Sequence, residues 1–373
     1  GRMTTALTLK THSGVLNVLD TVNPGLVLKL TPPRLRKSLL PRERLRQPRE
    51  NSDDVEVILV EAPAGYGKTS LLAQWRLDWL HSGALVTWFD LDSDDSVASL
   101  GSGIIEGLRR ASGNADFGHD ALKAIRRGSG FTQAATSLLA EIAENAHPTV
   151  IILDNGERPS GPELLDLCNY LLHNLPPNLQ IVIGSRVRLP LATGDLLAHG
   201  NLLQLSIKNL QFDLDETYAL LTHKLGAKAS VELAARLHDI TEGWPLGLQL
   251  AITALVQASD PEQALQQFSN SGDQATQQLV AGFLAHLPTE LADFALRCSL
   301  LDAIHPQLCA AVSGHANAAE LFEQLRNETP LLTSIENSDW LRLHPLIREY
   351  LRSKASSSLS AQEQQEIHRR AWQ

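Results

Sequence analysis

A lysine and a threonine follow a glycine-punctuated turn at residues 62–69, which has the sequence Ala-Pro-Ala-Gly-Tyr-Gly-Lys-Thr. The turn comes after an apolar run of strand type that starts at Val57, and a helical pattern of apolar residues follows it as far as Leu80. Strand, loop and helix in this order are typical of a phosphate-binding loop (P-loop), although the strict pattern has glycine where Ala62 stands. The alternative is a glycine-rich turn that carries Gly-Lys-Thr by chance.

The residue types in this turn suit a chain of phosphates. Gly65 and Gly67 can adopt positive φ, so successive backbone N–H groups can form one concave nest, and the following helix adds the positive end of its dipole. Lys68 would face the β- and γ-phosphates as a point charge, and the Thr69 hydroxyl would coordinate Mg2+. The residues expected around the phosphates are Ala64, Gly65, Tyr66, Gly67, Lys68, Thr69 and Ser70.

Further polar residues stand at or near the ends of later strand-type runs. Asp154 closes such a run and suits the carboxylate that holds Mg2+ through water, or else caps a helix after a buried strand. Asn155 stands where a second acid would orient the attacking water, and an amide cannot accept a proton, so fast hydrolysis is not expected. Glu157 could substitute for it. Arg186, after the next run, is placed to sense a γ-phosphate or is a surface arginine.

A basic segment precedes the first strand-type run. Pro41 is expected in the first turn of a short helix over residues 39–45. Arg42 in this helix is well placed to meet the base of a nucleotide, and a solvated arginine-rich helix is the equally acceptable alternative.

Composition limits the classes of function. The 373 residues suffice for two or three domains, and a formal charge of −10 makes duplex DNA a poor ligand for this chain. Three cysteines without paired spacing indicate reduced thiols and no zinc site. Neither a leader nor an apolar stretch of about 18 residues is present, so a soluble, cytoplasmic protein is expected. The opening Gly-Arg-Met suggests an appended remnant before Met3, and the helical pattern that stops at Gln373 suggests a piece of a longer protein.

Five short apolar runs alternate with helical segments in the first half of the chain. This alternation predicts an α/β P-loop NTPase fold, a parallel sheet wrapped by helices whose ligands gather at the carboxyl ends of the strands. Helices are expected over 96–112 and 132–146, with a polar, glycine-rich loop around 113–130. The apolar runs begin at Val57, Ala84, Thr149, Asn178 and Leu202.

From about Asp213, an expected helix cap, the pattern is helical, and a hairpin pattern with a turn at 336–339 follows at 331–343. Helices with a two-stranded wing predict a winged-helix domain, followed by a helix to about Lys354 and a serine-rich linker at 356–360. The predicted domains are a flexible lead-in (1–26), a P-loop nucleotide-binding domain (27–210), an all-helical domain (211–272), a winged-helix domain (273–355) and a linker with the start of a truncated helical arm (356–373).

Five motifs occur in a fixed order along the chain: Lys29-Leu-Thr-Pro-Pro-Arg34, the P-loop at 62–69, Ile183-Gly-Ser-Arg186, Thr241-Glu-Gly-Trp-Pro-Leu-Gly-Leu-Gln-Leu250 and Leu343-His-Pro-Leu-Ile-Arg-Glu-Tyr-Leu351. This ordered set resembles the STAND class of signalling ATPases, and in particular the MalT-like large ATP-binding regulators of the LuxR family. The resemblance covers residues 28–373, and Asn155 departs from it because relatives usually have a second aspartate there.

The resemblance implies a switch that is off with ADP and on with ATP, uses Mg2+, hydrolyses ATP slowly and controls inducer-dependent oligomerisation. The helical domain would carry a Gly-x-Pro turn with Pro245 against the adenine, and the winged helix would close over ADP with His344 on the β-phosphate. A full-length protein would add a helical arm, a repeat domain that binds a small-molecule inducer, and a C-terminal helix-turn-helix for promoter DNA. The present chain is expected to bind neither DNA nor membrane and to be a monomer with ADP.

Two other functions remain open from the sequence. An AAA-type motor or remodelling ATPase would need steady turnover and an arginine from a neighbouring subunit. A P-loop small-molecule kinase would need an acceptor pocket with a base, and the sequence shows no such constellation.

Overall fold

The computed structural model describes residues 24–35, 40–50, 55–268, 275–329, 331–334 and 339–372. No helix within these ranges has both the length and the apolar composition that a membrane crossing requires. The elements form three consecutive groups. The first group is α1 (Pro24–Leu30), α2 (Glu43–Glu50), β1 (Val57–Glu61), α3 (Lys68–His81), β2 (Leu85–Asp90), α4 (Val97–Ser112), α5 (His119–Arg127), α6 (Phe131–Asn145), β3 (Thr149–Asp154), α7 (Pro162–His173), β4 (Leu179–Ser185), α8 (Gly194–Ala198), β5 (Leu202–Leu205) and α9 (Ile207–Leu210).

The second group is α10 (Leu214–Leu225), a 3-10 turn (Gly226–Lys228), α11 (Val231–Thr241), α12 (Pro245–Gln257) and α13 (Pro261–Phe268). The third group is α14 (Ala275–His286), α15 (Thr289–Cys298), α16 (Pro306–Ser313), α17 (Ala318–Glu328), β6 (Leu332–Ser334), β7 (Leu341–Leu343), α18 (Pro345–Ser358) and α19 (Ala361–Ala371).

The strands of the first group form one five-stranded sheet in the order β2-β3-β4-β1-β5, and every neighbouring pair is parallel. Helices cover both faces, which is why the strands are apolar at nearly every position. In β1, Val57 and Leu59 pack on one side of the sheet, and Ile58 and Val60 pack on the other. The predicted α/β fold is confirmed, and the carboxyl ends of all its strands lie along one edge.

The loop predicted around residues 113–130 is wrong, because it contains helix α5. The helix begins after Gly118 and ends before Gly128. Its buried residues are Ala121 and Ala124, whose small side chains carry little hydrophobic signal. A short helix with a glycine at each end therefore resembles a loop in the sequence.

Two predictions near the start of the described chain also need correction. Helix α1 begins at Pro24, so the lead-in predicted for residues 1–26 is wrong in its last three residues, and the rest of it lies outside the described ranges. Lys29 of α1 contacts Asp92 and Asp95 at 2.7 Å each, which fixes α1 beside the end of β2. Helix α2 begins at Glu43, so Pro41 precedes the helix.

The second group has its own small core, which includes Leu221, Leu237 and Leu248. The predicted cap at Asp213 is confirmed, since its carboxylate accepts a hydrogen bond from the Glu216 N–H at 2.7 Å. This cap fixes the start of α10.

The third group is a winged helix, as predicted. Strands β6 and β7 are antiparallel, and Ile304 adds a bridge to Leu341 at the outer side of the wing. Phe294, Phe322 and Ile347 from three helices are fully buried in the core beneath the wing. The predicted turn at 336–339 lies almost entirely outside the described residues.

The serine-rich linker predicted at 356–360 is wrong for residues 356–358, and only residues 359–360 connect two helices. Helix α18 continues to Ser358, and α19 begins at Ala361. Ala355 and Leu359 stand four residues apart and are both buried in the winged-helix core, where Ile367 of α19 joins them. Ser356, Ser357 and Ser358 are helical because the apolar positions on either side of them are anchored.

Candidate functional site

The turn at residues 62–67 joins β1 to α3 at the carboxyl edge of the sheet. Gly65 and Gly67 have φ of 84° and 75°, the left-handed conformation that a nest of backbone N–H groups uses. No side chain caps α3, so its first N–H groups and the positive end of its dipole face this turn. The remaining predicted residues of the loop, Ala64, Tyr66 and Ser70, are half-buried around it.

The Lys68 ammonium lies inside the loop. It donates to the carbonyl oxygens of Ala62 at 2.5 Å and Pro63 at 3.0 Å. Burial lowers the pKa of Lys68 to about 8, although the carboxylates of Asp154 and Glu157 favour its charged form. A buried cation held by backbone carbonyls is suited to an anionic ligand that supplies full negative charge.

Thr69 and Asp154 meet as the sequence predicts. The Thr69 hydroxyl donates to Oδ2 of Asp154 at 2.7 Å, and Asp154 is only 3% exposed. Burial, followed by the negative charge of Asp90, raises the pKa of Asp154 to about 6. A hydroxyl beside a buried carboxylate is the donor set that Mg2+ uses in P-loop sites, and a cation would offset the cost of the buried charge.

Asp90 is a site residue that the sequence interpretation missed. It ends β2 directly opposite Asp154 at the end of β3. Its Oδ1 accepts a hydrogen bond from Nδ2 of Asn155 at 2.5 Å, and Asn155 itself has a φ of 58°. One feature of the sequence could have indicated Asp90: it closes an apolar run, just as Asp154 closes another. The sequence did not show that β2 lies next to β3, which is what brings the two residues together.

Glu157 and Arg186 lie together beside these groups. The Arg186 Nε is 3.5 Å from Oε1 of Glu157, and the Arg186 backbone N–H donates to Oε2 of the same carboxylate at 3.2 Å. Arg186 also lies 3.9 Å from Glu349 of α18, in the winged helix. Glu157 is thus engaged with Arg186, and Arg186 stands between the sheet edge and the winged helix.

The Gly-x-Pro turn of the second group contacts the P-loop directly. The Trp244 Nε1–H points to the carbonyl of Ala64 at 3.4 Å, and the Leu246 N–H donates to the carbonyl of Gly65 at 2.9 Å. Pro245 between them is buried at the start of α12. The turn therefore reaches the predicted site, and Pro245 is adjacent to residues in contact with the loop.

Arg42 contacts the second group of helices instead of the phosphate loop. Its Nε donates to Glu216 at 2.6 Å, its Nη2 donates to the Gln211 carbonyl, and its guanidinium lies 4.2 Å from the centre of the Phe212 ring. Phe212 in turn is bonded to the Gly-x-Pro turn, because the Phe212 N–H donates to the Gly243 carbonyl at 2.9 Å. Arg42 thus supports the Gly-x-Pro turn, and its predicted contact with a base stays a prediction.

The winged helix reaches the same edge of the sheet through its wing. Arg342 of β7 donates from Nη1 to Oδ2 of Asp90 at 2.7 Å. His344 lies two residues further, where β7 passes into α18, and its N–H donates to the Leu331 carbonyl. His344 is half-buried, and its predicted contact with a phosphate stays a prediction.

The residues present fit a nucleotide with Mg2+. The nest, the buried ammonium and the hydroxyl–carboxylate pair lie along one edge, and a Cβ built at Gly67 would meet nothing within 4 Å, so the loop is open on that side. Oε1 of Glu157 is buried and makes no hydrogen bond, although the Arg186 guanidinium lies 3.5 Å away.

Comparisons with known proteins agree with this geometry. Residues 280–364 match the family model of the MalT winged helix domain. The HTH-type transcriptional regulator MalT of Klebsiella pneumoniae is 27% identical over 347 residues, which are 92% of this chain and 38% of that protein. The serine/threonine-protein kinase PknK of Mycobacterium tuberculosis is 30% identical over 339 residues, 90% of this chain and 30% of the kinase.

A solved structure has a similar fold. The Signal Transduction ATPase with Numerous Domains (STAND) protein with a tetratricopeptide repeat sensor, from Pyrococcus horikoshii, matches with a TM-score of 0.63 and 19% identity over 91% of this chain and 45% of that one. Fold and site together define a P-loop NTPase module with a winged helix, and its fold is similar to that of the STAND protein. The chain is similar to MalT-like proteins over about nine tenths of its length, as the sequence resemblance predicts. It spans less than half the length of each of these relatives.

Proposed function

We propose that this chain is the nucleotide-operated switch module of a MalT-like transcription regulator. It binds ATP or ADP with Mg2+, hydrolyses ATP slowly, and is off with ADP and on with ATP. The observation that supports this function is that both other groups of elements contact the P-loop edge: Leu246 contacts Gly65, and Arg342 contacts Asp90. A nucleotide at this edge can therefore change the balance between docked and undocked arrangements.

Each site residue has a role in this proposal. Lys68 faces the β- and γ-phosphates, Thr69 and Asp154 hold Mg2+, and Arg186 responds to the γ-phosphate. Arg186 also lies near Glu349 of the winged helix, so a γ-phosphate that attracts its guanidinium would weaken a contact of the closed arrangement. Pro245 lies against the adenine and His344 donates to the β-phosphate.

The motor and the kinase are less well supported. The amide of Asn155 is committed to Asp90 at 2.5 Å, and the Glu157 carboxylate is engaged with Arg186. Neither position next to Asp154 therefore offers a carboxylate poised for rapid water activation, which typically yields about 1–100 turnovers per second in P-loop enzymes.

The full-length protein would place this module before further domains. There it would act in the cytoplasm, respond to a small-molecule inducer, self-associate in the ATP state and reach promoter DNA through a C-terminal helix-turn-helix. The proposed domains are the nucleotide-binding domain (27–210), the helical domain (211–272) and the winged helix (from 273), the last extended through α19.

Identification of the nucleotide that copurifies with the protein tests this function. Freshly purified protein is denatured, and the released nucleotide is separated and quantified; near-stoichiometric ADP is expected. Lys68→Ala, purified in parallel, should release none. Empty wild-type protein that turns over ATP at several per second would contradict the switch and favour a motor.

A further inference from the structure

Asp90 is a second carboxylate at the site, half-buried, and the roles assigned above do not use it. Its side chain is 13% exposed, and it stands opposite Asp154 on the neighbouring parallel strand. Paired parallel strands are about 4.8 Å apart, so the two carboxylates share one edge. Because Asn155 supplies no acid, Asp90 is the acidic group nearest to the position that a second aspartate would hold.

The strand order gives Asp90 a defined place along this edge. Strands β1, β4, β3 and β2 are neighbours in this order. The P-loop follows β1, Arg186 follows β4, Asp154 ends β3 and Asp90 ends β2. In phosphoryl transfer the attacking oxygen and the leaving oxygen lie roughly in line across phosphorus. A phosphate chain that starts at the P-loop and reaches toward Asp154 therefore presents its far side, where water attacks, toward β2.

Both oxygens of the Asp90 carboxylate are occupied in this arrangement. Oδ1 accepts from the Asn155 amide at 2.5 Å, and Oδ2 accepts from Arg342 of the wing at 2.7 Å. Arg342 is 41% exposed, so its side of the pair is accessible to water and the ion pair can be exchanged at little cost. Asn155, by contrast, belongs to the same rigid edge and would keep the carboxylate oriented.

We infer that Asp90 is the carboxylate that holds the attacking water, and that Arg342 of the winged helix masks it in the docked arrangement. This inference rests on the proposed ATP hydrolysis. When the wing releases Oδ2, the water oxygen forms a bond to the γ-phosphorus while the bond to the β–γ bridging oxygen breaks, and that electron pair leaves with ADP. The proton from water passes to the Asp90 carboxylate and from there to the released phosphate.

Two substitutions separate a catalytic carboxylate from a simple anchor for the wing. Asp90→Asn and Arg342→Gln both remove the ion pair. If Asp90 only anchored the wing, the two substitutions would therefore change the ATP turnover rate in the same direction. The inference predicts opposite directions. Arg342→Gln should raise turnover about two- to fivefold, the range expected when a part-exposed ion pair is lost. Asp90→Asn should lower turnover by at least about tenfold, and the double variant should stay at the low level.

Two measurements without turnover accompany these rates. Hydrogen exchange of nucleotide-free protein should be faster in segment 339–344 of both single variants, which would show that the pair holds the wing. Calorimetry should give ATP affinities within about twofold of wild type for Asp90→Asn, because the carboxylate faces water and not the phosphates. Asp116→Asn and Arg326→Gln, which alter exposed charges outside the site, should leave turnover unchanged.

The outcomes are distinct. The inference would be overturned if the Asp90→Asn variant bound ATP and hydrolysed it at or above the wild-type rate. It would also be overturned if wild type and every variant, including Arg342→Gln, bound ATP but hydrolysed none. Wild-type protein that does not bind ATP would overturn the proposed function itself.

Discussion

The backbone N–H of Leu246 donates to the carbonyl of Gly65 at 2.9 Å, so a helix of the second group is tied to the middle of the P-loop. The indole of Trp244 covers the same glycine, and a Cβ built at position 65 would lie 2.5 Å from its Nε1. The conformation of the P-loop thus depends on both the first and the second group of elements, and a change in the position of one group alters the contacts of the other.

This contact predicts a stability difference between two substitutions in one loop. Gly65→Ala combines a positive φ with a clash against Trp244, and we expect destabilisation of about 2–4 kcal/mol. Gly67→Ala is the matched control, because its φ is also positive but its Cβ would meet nothing within 4 Å; about 1–2 kcal/mol is expected. Thermal unfolding followed by circular dichroism measures both, and equal melting temperatures would contradict the Trp244 contact.

Lys68→Ala should lower ADP and ATP affinity by at least about a hundredfold, because it removes the buried cation that faces the β- and γ-phosphates. Isothermal titration calorimetry measures the loss. Lys224→Ala, on an exposed turn of α10, should bind like wild type. Unchanged affinity in Lys68→Ala would disprove the P-loop assignment.

His344→Ala tests whether the winged helix touches the nucleotide. A hydrogen bond to a charged phosphate contributes roughly 1.5–3 kcal/mol, so ADP affinity should fall about ten- to a hundredfold. ATP affinity should fall less if the γ-phosphate already favours an open arrangement. His368→Ala, on the exposed side of α19, is the control. An equal loss for both nucleotides, or none for ADP, would remove His344 from the site.

ADP affinity should depend on pH through Lys68. Burial places the Lys68 pKa at about 8, below the usual 10.5, so the charged form destabilises the fold at low pH and this cost disappears as pH rises from 8 toward 10.5. Anionic phosphates favour the charged form and raise that pKa. Binding should therefore take up a proton above pH 8, and affinity should fall by up to about tenfold between pH 8 and 9.5.

Calorimetry in two buffers of different ionisation enthalpy measures this proton uptake. In Lys68→Arg, whose guanidinium stays charged, any remaining ADP binding should take up no proton at this position. If ADP binding to the wild-type protein took up no proton at pH 9, the Lys68 ammonium would not be responding to the phosphates.

The sequence predicted those parts of the fold and site that depend on local pattern. Apolar runs located the strands, and the P-loop motif located Lys68 and Thr69 because turn, cation and hydroxyl are contiguous. Long-range partners were not predictable. Asp90 and Arg342 are 252 residues apart and meet only because β2 lies beside β3 and the wing folds back over that edge. The partners of Arg42 depend likewise on tertiary packing, since an arginine-rich segment has no intrinsic preference for Glu216 over a ligand.

The wing that covers Asp90 comes late in the chain, and this order matters while the protein is being made. Every predicted P-loop-edge residue up to Arg186 leaves the ribosome roughly 150 residues before Arg342, which at typical rates of about 5–20 residues per second is on the order of 10–30 s. The amino-terminal sheet can fold first. Under the proposed function, a newly synthesised molecule would therefore meet the cellular nucleotide pool with its site uncovered, and the first nucleotide would bind before the winged helix has been made.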